Sequence, residues 1–446
     1  MRKYIYALFI AAIAGGMQTA SAQKVGDAYD FMVDGVKVIV QPSGNSIVQI
    51  QTAIRGGVEN YPANKQGIEA MAMKALTECG TLKHDKNSFK NILDKVSASV
   101  YGYSQKDYSV ITMNCIKGDF DTVWPLYVEA ITEPKFDATE FARIKQDKIN
   151  QLNENDSQPD YAIDKMANNV AFSGRDYAKD PQGTKEIIAA LTADETKAYY
   201  KSVLMRSRML VVVVGDLPRE TIENNVKIML DGIKPGTLFE MKKSFFRVYN
   251  NSFNAEPRDL ATNYVEGVTG GPELDAPDFD AFNMAMQIFY DRHFLDIRTN
   301  NGLSYAPQTW FESGATSVAK ISVSTTEPNK YIKVFEKLVD STKKHGFDAS
   351  ELANMKVTYL TGFYYKNETN YAQAYSLMDN EIEHGNWRKS LTIVRDVKKI
   401  SLEDINNAFT KYIGNIVWVY QGDPKKVDPA LYKNGTLGTG DNPVAN

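Results

Sequence analysis

Between Gly67 and Thr81 apolar residues return at helical spacing: Ile68, Met71, Ala72, Ala75 and Leu76 form one face, while Glu69, Lys74 and Glu78 fall where they can stay wet. The pattern predicts a helix that stops at Gly80. Elsewhere the period shortens to two, so that Lys37 to Val40, Ile47 to Ile54, Tyr108 to Cys115 and Ser317 to Thr325 read as strands. Two further apolar runs, MLVVVVGD ending at Asp216 and IVWVYQGD ending at Asp423, both close on Gly-Asp.

The chain also contains itself twice. Phe136-Asp137-Ala138-Thr139-Glu140-Phe141-Ala142-Arg143-Ile144-Lys145 is echoed 211 residues later by Phe347-Asp348-Ala349-Ser350-Glu351-Leu352-Ala353-Asn354-Met355-Lys356. LTADETKAYYKS from Leu191 parallels ISLEDINNAFTK from Ile400, each with a Ser or Thr cap, acids in the first turn and an apolar stripe. Each parallel leads into one of the Gly-Asp strands. Two copies of one α+β unit explain this, each made of strands, a helix, a strand pair, several helices and a final strand. The turn-forming stretch from Lys234-Pro235-Gly236 to Asn254 joins them. The expected organisation is a first domain over 23–233, a linker over 234–254, a second domain over 255–436 and a tail over 437–446.

At 446 residues the chain exceeds one ordinary core, and 43% hydrophobic with 24% charged residues is ordinary for a globular protein. Its first residues join a basic start, Arg2 and Lys3, to an apolar run from Tyr4 to Ile13 and a small-residue site at Ala20-Ser21-Ala22. This reads as a signal peptide over 1–22, cleaved before Gln23; the run is shorter than the roughly 20 residues a membrane span needs. The mature chain is therefore expected to be exported, in a bacterial periplasm or an equivalent compartment. Cleavage removes two positive charges, taking the net charge from -4 to -6. With no basic cluster, nucleic acid and anionic lipid are not expected partners. Cys79 and Cys115 are the only cysteines, either a disulfide of an oxidising compartment or two free buried thiols.

These features together resemble the pitrilysin/insulinase-type metallopeptidases, the inverzincins, which include the mitochondrial processing peptidases. The resemblance rests on the repeat, on Gly56-Gly57 before the first helix, on Gly80-Thr81 after it, and on DIRTNNGLSYA in the second half. It implies an α+β fold of two homologous repeats, each a mostly antiparallel sheet packed against helices. Active members carry H-x-x-E-H on that first helix, two His for zinc and a Glu as base, completed by a Glu on a later helix. Aligned back from Gly80-Thr81, these positions are Met71, Lys74 and Ala75, and the later Glu falls near Gln151 or Leu152. Only His84, His293, His345 and His384 occur, never paired at the required spacing, whereas zinc needs at least three N, O or S ligands. The chain is expected to hold no metal; any zinc belongs to a partner subunit.

The second half keeps what the resemblance implies for substrate contact: Arg298 at a helix end and Tyr305 seven residues on, joined by the turn Asn300-Asn301-Gly302. In some two-subunit members one chain supplies the zinc helix and the other this Arg and Tyr. The plainer alternative is a surface ion pair of Arg298 with Asp296 and a strand aromatic at Tyr305. Ser99 and Tyr101, in Ser97 to Tyr101, align with the edge strand to which an extended substrate adds, or belong to an ordinary sheet strand. GVTGGPELDAPD from Gly267 reads as a strand-to-helix turn rather than a substrate loop. Tyr364, Tyr365, Tyr371 and Tyr375 read as packing, and His345 and His384 as helix-end residues.

The expected function is thus a zinc-less subunit that binds unfolded peptide and pairs with a related H-x-x-E-H-bearing chain, with a self-dimer as fallback. The alternative is a non-enzymatic binding or scaffold protein of the cell envelope.

Overall fold

A computed structural model describes residues 26–435 and Leu437. The predicted signal peptide, and all of the tail but Leu437, lie outside the described residues.

The first half builds a six-stranded sheet from β1 (Tyr29–Val33), β2 (Val36–Gln41), β3 (Ile47–Arg55), β4 (Ser99–Ser104), β5 (Tyr108–Ile116) and β6 (Met209–Val214), in the order β1-β2-β6-β3-β5-β4. The second half builds five strands, β7 (Ser252–Pro257), β8 (Asn263–Gly270), β9 (Gln308–Glu312), β10 (Val318–Thr325) and β11 (Val417–Gly422), in the order β7-β11-β8-β10-β9. Remove β1 and the two orders coincide. In both sheets one pair is parallel, Val38 opposite Val211 in β2 and β6, Val417 opposite Ser252 in β11 and β7, and the other pairs are antiparallel. The repeat read from the sequence is therefore a repeat of topology, and β7 takes up the last three residues of the predicted linker.

β6 reads MLVVVV without alternation because both its faces are covered, and all six residues are buried. One face packs against helices of its own half. The other receives a helix from the second half: Asn370–His384 crosses β3 and β6 and seats Ala374, Leu377 and Met378 on Ile39, Ala53, Val110, Leu210, Val212 and Val214. The exchange is reciprocal. Helix Pro159–Ala171 of the first half lies across β8 and β11 and buries Ile163 and Ala167 with Val268, Val318 and Val419. Each half thus completes the other's core. Ion pairs follow the same seam: Lys320 to Asp164 at 2.6 Å, Lys106 to Glu312 at 3.0 Å and Arg388 to Asp30 at 2.8 Å.

Cys79 and Cys115 are buried and unpaired, and burial pushes their thiols up to about 12 and about 11. No helix among the described residues is long and apolar enough to cross a membrane.

Candidate functional site

The predicted helix forms over Ile68–Glu78. Its entry requires Gly67 at φ 86°, and its exit requires Gly80 at φ 71°, where a Cβ would stand 2.8 Å from the His84 carbonyl oxygen. Met71, Ala72, Met73, Ala75 and Leu76 have no exposed surface. Gly102 of β4 lets the edge strand press onto this helix, since a Cβ there would meet the Met73 carbonyl oxygen at 2.7 Å.

Glu69 corrects the sequence reading, which left it wet. It is fully buried, and its Oε2 accepts from the Tyr199 hydroxyl and from Asn60 Nδ2. Burial raises its carboxyl above the ordinary range against those hydrogen bonds. The tyrosine that holds it is 130 residues away in sequence.

Beside this helix, a cavity of about 310 Å³ opens between it, β4 and helix Ala138–Ser157. Met71, Lys74, Tyr101, Tyr103, Lys148, Gln151 and Gln182 are among its lining residues. Three of the degenerate positions, Met71, Lys74 and Gln151, are therefore brought together, while Ala75 is packed in the core. Leu152, the alternative to Gln151, is also core. A divalent cation does not fit this set. It would meet a thioether, two amides and two ammonium groups, and no His or free carboxylate replaces the lost ligands. Glu78, also on the wall, is taken by Lys90 at 2.7 Å and Arg143 at 2.7 Å. Among the described residues no three His, Cys, Asp or Glu are grouped as a metal site.

Lys148 was missed in the sequence. Phe141, Ile144 and Leu152 form the buried stripe of its helix, and Lys148 sits in that stripe, where an apolar residue belongs. That break in the pattern was the available signal.

Arg298 lies in the π-helical turn Leu295–Asn300, a distortion often found at functional sites. Its guanidinium stands 4.2 Å from the Tyr305 ring centroid and 4.9 Å from that of Phe294. Tyr305 is 78% exposed, in a bend and not in a strand. Arg298 makes no ion pair among the described residues; Asn300 and Asn301 bond the Asp296 carboxylate instead. Gly302 turns the chain at φ 61°. The structure brings Arg298 and Tyr305 to each other but not to the Met71–Lys74 cavity, with which they share no contact.

Ser99 and Tyr101 stand on β4, an edge strand that among the described residues pairs with β5 alone; Tyr101 is 42% exposed. The Gly267 stretch is strand and turn, ending β8 and leading into helix Phe279–Phe294. The tyrosines divide: Tyr364, Tyr365 and Tyr371 are exposed rather than packed, the Tyr371 hydroxyl standing 3.5 Å from that of Tyr103, while Tyr375 packs against the core between the first sheet and helix Asn370–His384. His293 is buried against Tyr331 and held down to about 3 by burial. His384 ends its helix, as expected, before Gly385.

Two family profiles match in succession, "Insulinase (Peptidase family M16)" over residues 37–184 and "Peptidase M16 inactive domain" over 190–359. A Helicobacter pylori protein described as "Non-peptidase homolog YmxG" is 21% identical over 427 residues, covering 91% of this chain and 95% of its own. The mitochondrial cytochrome b-c1 complex subunit 1 of Caenorhabditis elegans is 20% identical over 185 residues, 41% of this chain and 38% of its own. Among solved structures, a peptidase M16 inactive domain from Pseudomonas fluorescens superposes with a TM-score of 0.81 at 17% identity, over 91% of this chain and 100% of that one. The periplasmic protease PqqL from Escherichia coli matches with a TM-score of 0.76 at 14% identity, over 91% of this chain and 47% of its own. The chain belongs to the insulinase-type M16 peptidase family, and it lacks that family's zinc ligands.

Proposed function

We propose that this chain is the zinc-less subunit of an exported peptidase assembly. It holds unfolded peptide for a related partner that carries H-x-x-E-H and a zinc ion. One observation carries the reading. A chain whose metal pocket now presents lysines keeps, in its other half, a half-buried Arg298 on a π-helical turn stacked on the exposed Tyr305 that follows it. An arginine offers fixed donors to peptide carbonyls, and a tyrosine hydroxyl donates to a developing oxyanion. The edge strand β4, with Ser99 and Tyr101, has the geometry to receive an extended peptide. Export is supported by the segment before Gln23 and by the similarity to a periplasmic protease.

The likeness to a cytochrome b-c1 complex subunit favours a second reading, a scaffold of the cell envelope that reuses the fold without proteolysis. Purified alone, the chain is expected to carry no stoichiometric zinc and to cleave no peptide; mixed with an H-x-x-E-H chain encoded beside it, it is expected to form a complex by light scattering. One tightly bound zinc per chain with chelator-sensitive cleavage contradicts the first reading. A chain that never pairs leaves the scaffold.

A further inference from the structure

Three lysines are buried among the described residues: Lys148, Lys179 and Lys320. Taking an ammonium out of water costs several kcal/mol unless a carboxylate answers it. Lys179 has Asp176 at 2.6 Å, and Lys320 has Asp164 at 2.6 Å and Glu312 at 3.0 Å. Lys148, 6% exposed, has only two amide oxygens, Gln182 Oε1 at 2.6 Å and Gln151 Oε1 at 3.3 Å, and no ion pair. Burial lowers it to about 8, with Lys74 adding to the effect and Asp180 opposing it.

Lys74 lines the same cavity and makes neither a hydrogen bond nor an ion pair among the described residues. Ser104 also lines the cavity, but its unpartnered hydroxyl is itself buried away from the opening. The one acid on the wall, Glu78, is already held by Lys90 and Arg143. Two ammonium groups thus flank about 310 Å³ with no carboxylate bonded to either, Asp180 acting on Lys148 only through space. That volume is at the low end of ligand sites, about 300–1,000 Å³, room for one side chain or a chain end.

We propose that the cavity where the family holds its metal has become, in this chain, a carboxylate site, in which Lys148 and Lys74 receive a carboxylate of a bound peptide. The occupant is a peptide because β4, the sheet's edge strand at the cavity, supplies Tyr101, Gly102, Tyr103 and Ser104 to its wall. The proposal rests on the peptide-binding reading above and adds what the peptide must carry. The carboxylate has two sources, an Asp or Glu side chain or the peptide's own C-terminus.

The test uses the full mature chain and three fluorescein-labelled unstructured peptides of one neutral sequence: amidated with a central Gln, amidated with a central Glu, and free at the C-terminus with the Gln. Fluorescence anisotropy is expected to show at least one carboxylate form binding about tenfold or more tighter than the amidated Gln form, and which form does so identifies the source. Lys148→Met and Lys74→Met are each expected to abolish the preference, and Lys74→Arg to keep it. Lys74 is partly exposed, so its variants decide the matter should Lys148→Met fail to fold. Equal binding of all three peptides, or a preference that survives loss of Lys74, overturns the carboxylate site and leaves peptide binding standing. Failure of every peptide to bind overturns both.

Discussion

Lys145 and Lys356, 211 residues apart, hold the same joint in the two halves. Lys145 Nζ donates to the carbonyls of Ala189 at 3.1 Å and Leu191 at 3.2 Å; Lys356 Nζ donates to those of Lys398 at 2.9 Å and Ile400 at 2.6 Å. Each pair of carbonyls ends a helix and has no partner of its own kind, and each lysine complements the negative end of that helix's dipole. Replacing either by Met removes a charge-assisted pair at a partly exposed place, at a cost of about 1 kcal/mol. Urea unfolding is expected to show similar losses for Lys145→Met and Lys356→Met. A large loss in one and none in the other indicates that the joint has been abandoned in that half.

The exchanged helices make the halves interdependent. Trp387, buried and donating its Nε1 to Asp30 at 3.2 Å, closes the second half's helix over the first sheet. Trp387→Ala is expected to lower stability by about 3–5 kcal/mol while unfolding stays a single transition. Expressed alone, residues 23–233 leave Leu210, Val212 and Val214 uncovered and are expected not to unfold cooperatively until the second half is added. A half that unfolds alone as sharply as the whole chain contradicts the interlock.

The seam also titrates. Glu383 accepts from Ser313 Oγ at 3.0 Å; Asp379 and His384 share its helix, Asp107 approaches from the β4–β5 hairpin, and Lys389 opposes them. Burial first, and then Asp379, push Glu383 up to about 8. An ordinary Glu titrates near about 4.3, so the folded chain holds this proton more tightly than the unfolded one. Its stabilisation is complete below the ordinary value and is lost as pH rises toward 8. His293 and His384, held low, act in the other sense below the ordinary His range, so the window to read is from about pH 6.5 to 8.5. Across it Tm is expected to fall. Glu383→Gln is expected to flatten the curve; parallel curves contradict the assignment.

Local chemistry explains what the sequence disclosed. Asp137 caps its helix by accepting from Thr139 and Glu140 N–H groups, and Asp348 does the same with Ser350 and Glu351, so the repeat was written within a few residues at a time. The lost zinc motif was legible for the same reason. Which surface an amphipathic helix covers is not local: the stripe of Asn370–His384 announces a buried face without naming the other half's sheet as its cover. Glu69 needed Tyr199, and the meeting of Lys74 with Lys148 needed the packing of two helices. Arg298 and Tyr305 were found by resemblance, and their stacking by the fold.

The account turns on Arg298 and Tyr305 acting in a partner's site, and turnover per assembled complex tests this most directly. Both side chains stand clear of the core, so Arg298→Ala and Tyr305→Phe are expected to leave folding and pairing unchanged. Losing one donor to a developing charge costs about 2.7–4 kcal/mol, so each variant is expected to slow the complex by roughly 100- to 1,000-fold. Unchanged turnover per complex in both variants contradicts the account and assigns the chemistry wholly to the partner.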